Sequence, residues 1–314
     1  MSLLAAWAGI TIAGALDIRV SPDGTLEITG APPGSTVRYT LDGTEPAREA
    51  GAWLAPVRVP DGYTLKARAF SQDESPIGDM VTWSGAGATA RTPSTLVPLT
   101  QNRDWRVYDW TTRHQAAASL MKERQPEIVM IGDSITHFWG GDPVGGRRTG
   151  AEVWDRFFAG RRVVNLGYGW DRTENVLWRL THGEFENVTP RVVVAMIGTN
   201  NVTLNTPDEI SLGIAAICAE IHRRSPSSRI LLLGIFPRGE RPDANRRTIG
   251  DINERIARLD GRDGISYLDI GRHFLGDDGS ISKDVMYDFL HPSAKGYEIW
   301  AAAMGPTLER LLAQ

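Results

Sequence analysis

Apolar and polar positions follow two different rhythms along this chain. Between about Asp17 and Gly85, the stretches "LDIRV", "TLEIT", "TVRYTL", "TLKARAF" and "DMVTW" alternate apolar with polar residues. They are separated by the turn-forming "SPDG", "APPG" and "LDGTEP". Short alternating runs predict strands with one buried face, so this region reads as a small all-β sandwich. From Glu127 the pattern changes to near-continuous apolar runs: "EIVMIG" at 127–132, "RVVNLG" at 162–167, "RVVVAMIG" at 191–198, "RILLLGIF" at 229–236 and "ISYLDI" at 265–270. Such runs suit parallel strands covered on both faces. Amphipathic stretches around 172–181, 208–224, 243–259 and 293–312 supply the covering helices, and "DWTTRHQAAASLMKERQ" also has helical character. The second region is therefore expected to be a three-layer α/β/α sandwich on a five-stranded parallel sheet.

The resulting organisation is an apolar segment at 1–16, a β-module at 17–85, a linker rich in Gly, Ala, Thr and Pro at 86–105, and an α/β domain at 106–314. The first segment, "MSLLAAWAGITIAGAL", ends near the small residues Ala13, Gly14 and Ala15 but lacks a positive start. Both a leader peptide, which would send the protein out of the cytoplasm, and an N-terminal strand fit it. No other stretch approaches the length of a membrane span. A net charge of -4, with no concentrated basic run, argues against a nucleic-acid surface. The single cysteine, Cys218, sits on an apolar helix face and reads as a buried thiol.

In a parallel sheet, the loops leaving the carboxyl ends of the strands gather on one edge, where ligands bind. Here Ser134 follows the first strand, Gly167 ends the second and Asn200 follows the third. Ser134 suits a helix cap as well as a nucleophile. A nucleophilic serine needs a base held in one tautomer by a carboxylate. In "YDFLHPSAKGY", Asp288 and His291 lie three residues apart and offer that pair. The oxyanion needs donors placed in advance, and the Ser134 N–H, the Gly167 N–H and the Asn200 side-chain amide are the candidates.

Asp133 is expected to order the nucleophile loop through backbone hydrogen bonds, with Asn201 supporting Asn200 in a similar way. Trp139, Tyr168 and Trp170 follow the edge motifs immediately, and flat aromatic faces there suit a sugar ring, an acyl chain or simple packing. His137, three residues past the serine, is a further candidate for touching substrate. Asp133 and Asn201 join these four as candidate substrate-binding positions. Asp171, Arg172 and Arg238 are candidate rim residues, with mutual salt bridges as the alternative. The remaining histidines, His114, His182, His222 and His273, show no metal-ligand spacing, so no metal or organic cofactor is expected.

Four blocks, Ser134 in "GDSI", Gly167 in "NLGYGWDRTENVLWRL", Asn200 in "IGTNN" and His291 in "DFLHP", resemble those of the SGNH or GDSL hydrolase superfamily. Asp288 matches that family's aspartate three residues before the histidine. Within the superfamily, the wording is most similar to the catalytic subunits of intracellular platelet-activating-factor acetylhydrolase and their bacterial relatives. The resemblance implies removal of short acyl groups, chiefly acetyl, from hydroxyls, and it permits a homodimer. Two departures stand out from the animal subunits: the N-terminal β-module and the insertion "GGDPVGGRRTG" at 140–150. The module, through "GSTVRYTLDGTEP" and "PVRVPDGYTLKARAF", resembles the accessory β-sandwich of chitobiase and β-hexosaminidase type enzymes. That implies either a spacer or a carbohydrate-binding role. The expected substrate is accordingly an acyl ester of a small molecule or polysaccharide, with an acetylated carbohydrate favoured, a short-chain lipid ester as the alternative, and a non-catalytic glycan-binding protein as a third reading.

Overall fold

The computed structural model describes residues 15–22, 24–60, 62–85 and 92–314. Residues 1–14 of the expected apolar segment and residues 86–91 of the expected linker lie outside that description. The chain divides into two compact units: residues up to Thr92 together with Thr100–Asn102, and Pro93–Leu99 together with Arg103–Gln314.

The first unit contains β1 (Asp17–Val20), β2 (Thr25–Thr29), β3 (Thr36–Thr40), β4 (Gly51–Ala52), β5 (Val57–Arg58), β6 (Thr64–Phe70) and β7 (Pro76–Ser84). They form two antiparallel sheets, ordered β1-β2-β5 and β4-β3-β6-β7. Alternation does what the sequence predicted. Along β6, Leu65, Ala67 and Ala69 are buried while Thr64, Lys66 and Arg68 are less covered. Among the described residues of this unit, the buried charge that interrupts the apolar interior is Arg38, and it is engaged. Arg38 donates to both carboxylate oxygens of Glu74, at 3.0 and 2.7 Å, and to the Ala50 carbonyl at 3.0 Å. Thr100 Oγ1 donates to the Ala52 carbonyl at 2.7 Å, and Asn102 Nδ2 to that of Arg48 at 2.7 Å.

The second unit runs α1 (Trp110–Arg124), β8 (Ile128–Gly132), α2 (Ser134–His137), α3 (Ala151–Phe157), β9 (Val163–Gly167), α4 (Thr173–Arg179), β10 (Val192–Met196), α5 (Pro207–Arg224), β11 (Arg229–Leu233), α6 (Ala244–Ile256), β12 (Ile265–Leu268) and α7 (Ala294–Ala313). The strands form one parallel sheet, ordered β12-β11-β10-β8-β9. Every residue of β8, β9 and β10 is buried, as expected for a sheet covered on both faces. Successive residues feed opposite cores. Val129 and Ile131 join the cluster containing Ile210, Ile214 and Ile252, whereas Ile128 and Met130 join the one containing Trp154, Trp300 and Leu308. This is the three-layer α/β/α sandwich.

Pro93–Leu99 belong to this unit through specific bonds. Thr95 Oγ1 donates to the Glu209 carbonyl at 2.7 Å, the Leu99 N–H to the Glu174 carbonyl at 3.2 Å, and Asn175 Nδ2 to the Leu99 carbonyl at 2.7 Å. Among the described residues, no helix is long and apolar enough to cross a membrane.

Candidate functional site

The register of the sheet sets the site. Gly132, the last residue of β8, pairs with Gly167 on one side and Met196 on the other, so three loops leave at one level. A Cβ on Gly132 would lie 2.1 Å from Thr136 Oγ1 and 2.7 Å from the Met196 carbonyl oxygen, so the turn into α2 closes only on glycine. The cap of α2 is Asp133, whose Oδ1 accepts the Ile135 N–H at 2.9 Å. Ser134 is thus released from capping. As the first helical residue it has no intrahelical acceptor for its own N–H, and that N–H has no partner among the described residues.

Ser134 Oγ lies 2.9 Å from His291 Nε2, and His291 Nδ1 lies 2.7 Å from Asp288 Oδ2. Asp288 Oδ1 also accepts the N–H groups of Leu290 at 3.1 Å and His291 at 2.7 Å, fastening the loop to its own carboxylate. Phe289, with φ of 62°, makes the left-handed turn that folds the ring back onto it. Burial alone would raise the Asp288 pKa, but these N–H donors and the imidazole hold it below the usual carboxylate value. For His291, burial dominates and lowers the pKa. Asp288 opposes the fall, while Arg147 and Arg238 add to it. The imidazole is therefore a neutral base at neutral pH, with Nδ1–H donating to Asp288 and the Nε2 lone pair facing the serine.

The loop after β9 corrects one expectation. The Gly167 N–H donates to Asn165 Oδ1 at 2.7 Å and is not open to a ligand. Glycine is required there for space instead, because a Cβ would lie 2.3 Å from the His137 nitrogen. The other N–H groups of the loop account for themselves. Tyr168 donates to the Gly132 carbonyl at 3.1 Å, Gly169 to His137 Nδ1 at 3.3 Å, and Asp171 to the Tyr168 carbonyl at 3.1 Å. Only the Trp170 N–H has no partner among the described residues, and Trp170 is held at φ of 63°. Asn200 lies against the same loop, its Nδ2 donating to the Asp171 carbonyl at 2.9 Å and leaving a second amide hydrogen unengaged. The sequence signal for this rearrangement was Asn165, since an asparagine side chain readily captures an N–H two residues on.

The loop is bolted from behind by two buried arginines. Arg113 donates to the carbonyls of Gly167 at 2.9 Å, Asn165 at 3.1 Å and Pro143 at 2.6 Å. Arg179 pairs with Asp171 at 2.8 Å and with Glu184 at 2.6 Å, and all three side chains are fully buried. Trp110 Nε1 donates to the other Asp171 oxygen at 2.8 Å. Asp171 is therefore an interior anchor, not a rim residue.

Other candidate substrate contacts turn out to be interior as well. Trp139 is 0% exposed and packs on Tyr297, Trp300 and Trp154. Tyr168 is equally buried, between the Arg113 and Arg179 guanidinium groups, with its hydroxyl on Glu184. Both point away from the edge because the turns that carry them are pinned to the core. Asn201 is fully buried and accepts the Thr173 N–H at 3.2 Å while donating to Glu174 and Asn205, each at 3.1 Å, so it anchors the start of α4. His137 is buried too. Desolvation first, then Arg113 and Arg179, push its pKa down to about 2, fixing it as a neutral acceptor for Gly169. Burial pushes Asp133 up to about 7, against its bond from the Ile135 N–H. Of the three aromatic candidates only Trp170, 51% exposed, presents its ring to solvent. Arg172 lies 3.9 Å from Glu174, and Arg238 donates to Thr199 instead of pairing with Asp171. Among the described residues, no group of three or more His, Cys, Asp or Glu side chains is placed to hold a metal ion.

Residues 130–299 match the GDSL-like lipase/acylhydrolase family, and residues 26–82 match the Fn3-associated family, in keeping with a small β-sandwich module. Platelet-activating factor acetylhydrolase IB subunit alpha1 of Homo sapiens is 36% identical over 206 residues, spanning 65% of this chain and 85% of that protein. Subunit alpha2 of Rattus norvegicus is 35% identical over 189 residues, spanning 60% and 78%. The crystal structure of a GDSL-like lipase from Bacteroides thetaiotaomicron has the same fold, with a TM-score of 0.52 at 19% identity over 64% of this chain and 99% of that one.

Proposed function

The chain belongs to the GDSL-like lipase/acylhydrolase family, and on that premise we propose that it is a serine esterase removing short acyl groups, chiefly acetyl, from hydroxyls. The observation that carries the reading is the continuous path Asp288–His291–Ser134, with 2.7 and 2.9 Å between its members. Ser134 Oγ attacks the ester carbonyl carbon as His291 Nε2 takes its proton. The oxyanion accepts from the Ser134 N–H, the Trp170 N–H and the Asn200 amide, each donor typically worth about 2.7–4 kcal/mol in such sites. His291 returns the proton to the departing alcohol. Water then attacks the acyl-serine with the same base, releasing the carboxylic acid and restoring the hydroxyl.

The favoured substrate is an acetylated carbohydrate, supported by the Fn3-associated module and by the exposed side chain of Trp170, whose own N–H is one of the candidate oxyanion donors. A second reading, a short-chain lipid acetyl ester, is favoured by the 36% identity to a platelet-activating factor acetylhydrolase subunit. Acetate release from a panel of acetylated polysaccharides, acetylated monosaccharides and a synthetic acetyl ester separates them, with Ser134→Ala as control. The proposal expects release from the wild type alone, with a saccharide preferred over the synthetic ester. Equal release from Ser134→Ala overturns the serine mechanism. Rates that rise from acetyl towards octanoyl esters move the assignment to lipid.

A further inference from the structure

Two arginines flank the Ser134–His291 pair without carboxylate partners, and they arrive from different loops. Arg147 comes from the 140–150 stretch, is exposed, and stacks with its guanidinium carbon 5.0 Å from the centre of the Phe138 ring. The Phe138 ring centre lies in turn 5.1 Å from that of His291. Arg238 comes from the loop after β11 and is half-buried. It donates to the Thr199 carbonyl at 3.1 Å and to Thr199 Oγ1 at 3.3 Å, which places it beside Asn200. Neither makes an ion pair among the described residues. Both are close enough to His291 to depress its basicity, behind the larger effect of burial.

The acidic groups facing these cations do not cancel them. Asp288 is committed to His291, and Asp133 is buried with its pKa raised to about 7. Asp104 feels Arg147 electrostatically, yet its burial raises its pKa and it forms no ion pair with Arg147. Two guanidinium groups thus lie near the reacting centre, one reaching towards His291 across the Phe138 ring and one bonded to Thr199 beside Asn200. Guanidinium forks bind planar carboxylates and phosphate oxygens by paired hydrogen bonds, which a neutral sugar hydroxyl does not reproduce.

We propose that the alcohol part of the substrate carries an anionic group, a carboxylate or a phosphate, held by Arg147 and Arg238. This rests on the serine-esterase reading and names the substrate class of that same site. Because Arg147 is exposed, its contribution is screened by salt.

The test compares kcat/KM for an O-acetylated glucuronide, its neutral methyl ester and an acetylated glycerol phosphate, alongside p-nitrophenyl acetate. The proposal expects at least one anionic ester to exceed the neutral one by roughly tenfold at low ionic strength, with the advantage shrinking in 0.5 M salt. Whichever anionic ester is preferred identifies carboxylate or phosphate as the source. Arg147→Gln lowers the anionic-to-neutral ratio several-fold, and Arg147→Glu brings it to unity or below. Equal rates on anionic and neutral esters overturn the inference, as does an unchanged ratio in both variants, while p-nitrophenyl acetate hydrolysis leaves the esterase reading standing. Absence of hydrolysis of every ester removes that reading and the inference together.

Discussion

The loops after β8 and β9 leave the same edge of the sheet from equally buried strands, with Gly132 and Gly167 in register, yet they are built differently. The first is local. Asp133 caps its own helix, and the serine sits one residue on. The second is held from a distance, by Arg113 on α1 and by Arg179 in the next helix, and its N–H groups are spent one after another until only that of Trp170 remains. A loop organised by its own residues is readable as a motif. A loop organised by side chains from the helices before and after it, Arg113 54 residues from Gly167 and Arg179 eight residues from Asp171, is readable only in the folded hydrogen-bond pattern.

The largest test of that contrast removes the distant support. Arg179→Met leaves Asp171 and Glu184 buried without their cation and is expected to cost about 3–5 kcal/mol of stability, read as a fall in thermal midpoint. A variant as stable as wild type contradicts the role given to the cluster. Next in size, Asn200→Ala removes one oxyanion donor and is expected to lower kcat by about 10²–10³-fold with little change in KM. A loss confined to KM instead assigns Asn200 to ground-state binding.

A smaller effect is expected at Trp170. Glycine there keeps the N–H and tolerates the φ of 63° at no steric cost, so Trp170→Gly should hold kcat on a small synthetic acetate within about threefold. A hundredfold loss on that small ester makes the indole, not the N–H, the essential feature. The smallest effect concerns pH. Because the base must be neutral and the His291 pKa is lowered, activity falls only as pH drops through a midpoint below 6.5. Arg147→Gln removes one depressing cation and should move that acid limb upward. An acid limb above 6.5 in wild type contradicts the charge environment described here.

The same contrast explains what was legible beforehand. The five parallel strands, the flanking helices and the β-module follow from apolar periodicity, because burial on one or two faces imposes it directly. Ser134, Asp288 and His291 were identified as residues, and the structure brings them within hydrogen-bond distance. Gly167 was assigned a donor it had already given to Asn165, and the open N–H three residues later went unread. Trp139 and Tyr168 were candidates for the mouth because they follow edge motifs, with packing as the alternative, and the structure takes the packing. Proximity in sequence says nothing about which way a turn faces, and here Asn165 and Arg113 direct those turns inward.

The most direct test of the central claim is covalent labelling of the nucleophile. Wild-type protein and Ser134→Ala are treated with a fluorophosphonate, weighed intact by mass spectrometry, and mapped by peptide. The account predicts one adduct per chain, on Ser134, absent from Ser134→Ala together with ester hydrolysis. An adduct on another residue, or undiminished hydrolysis by Ser134→Ala, contradicts it.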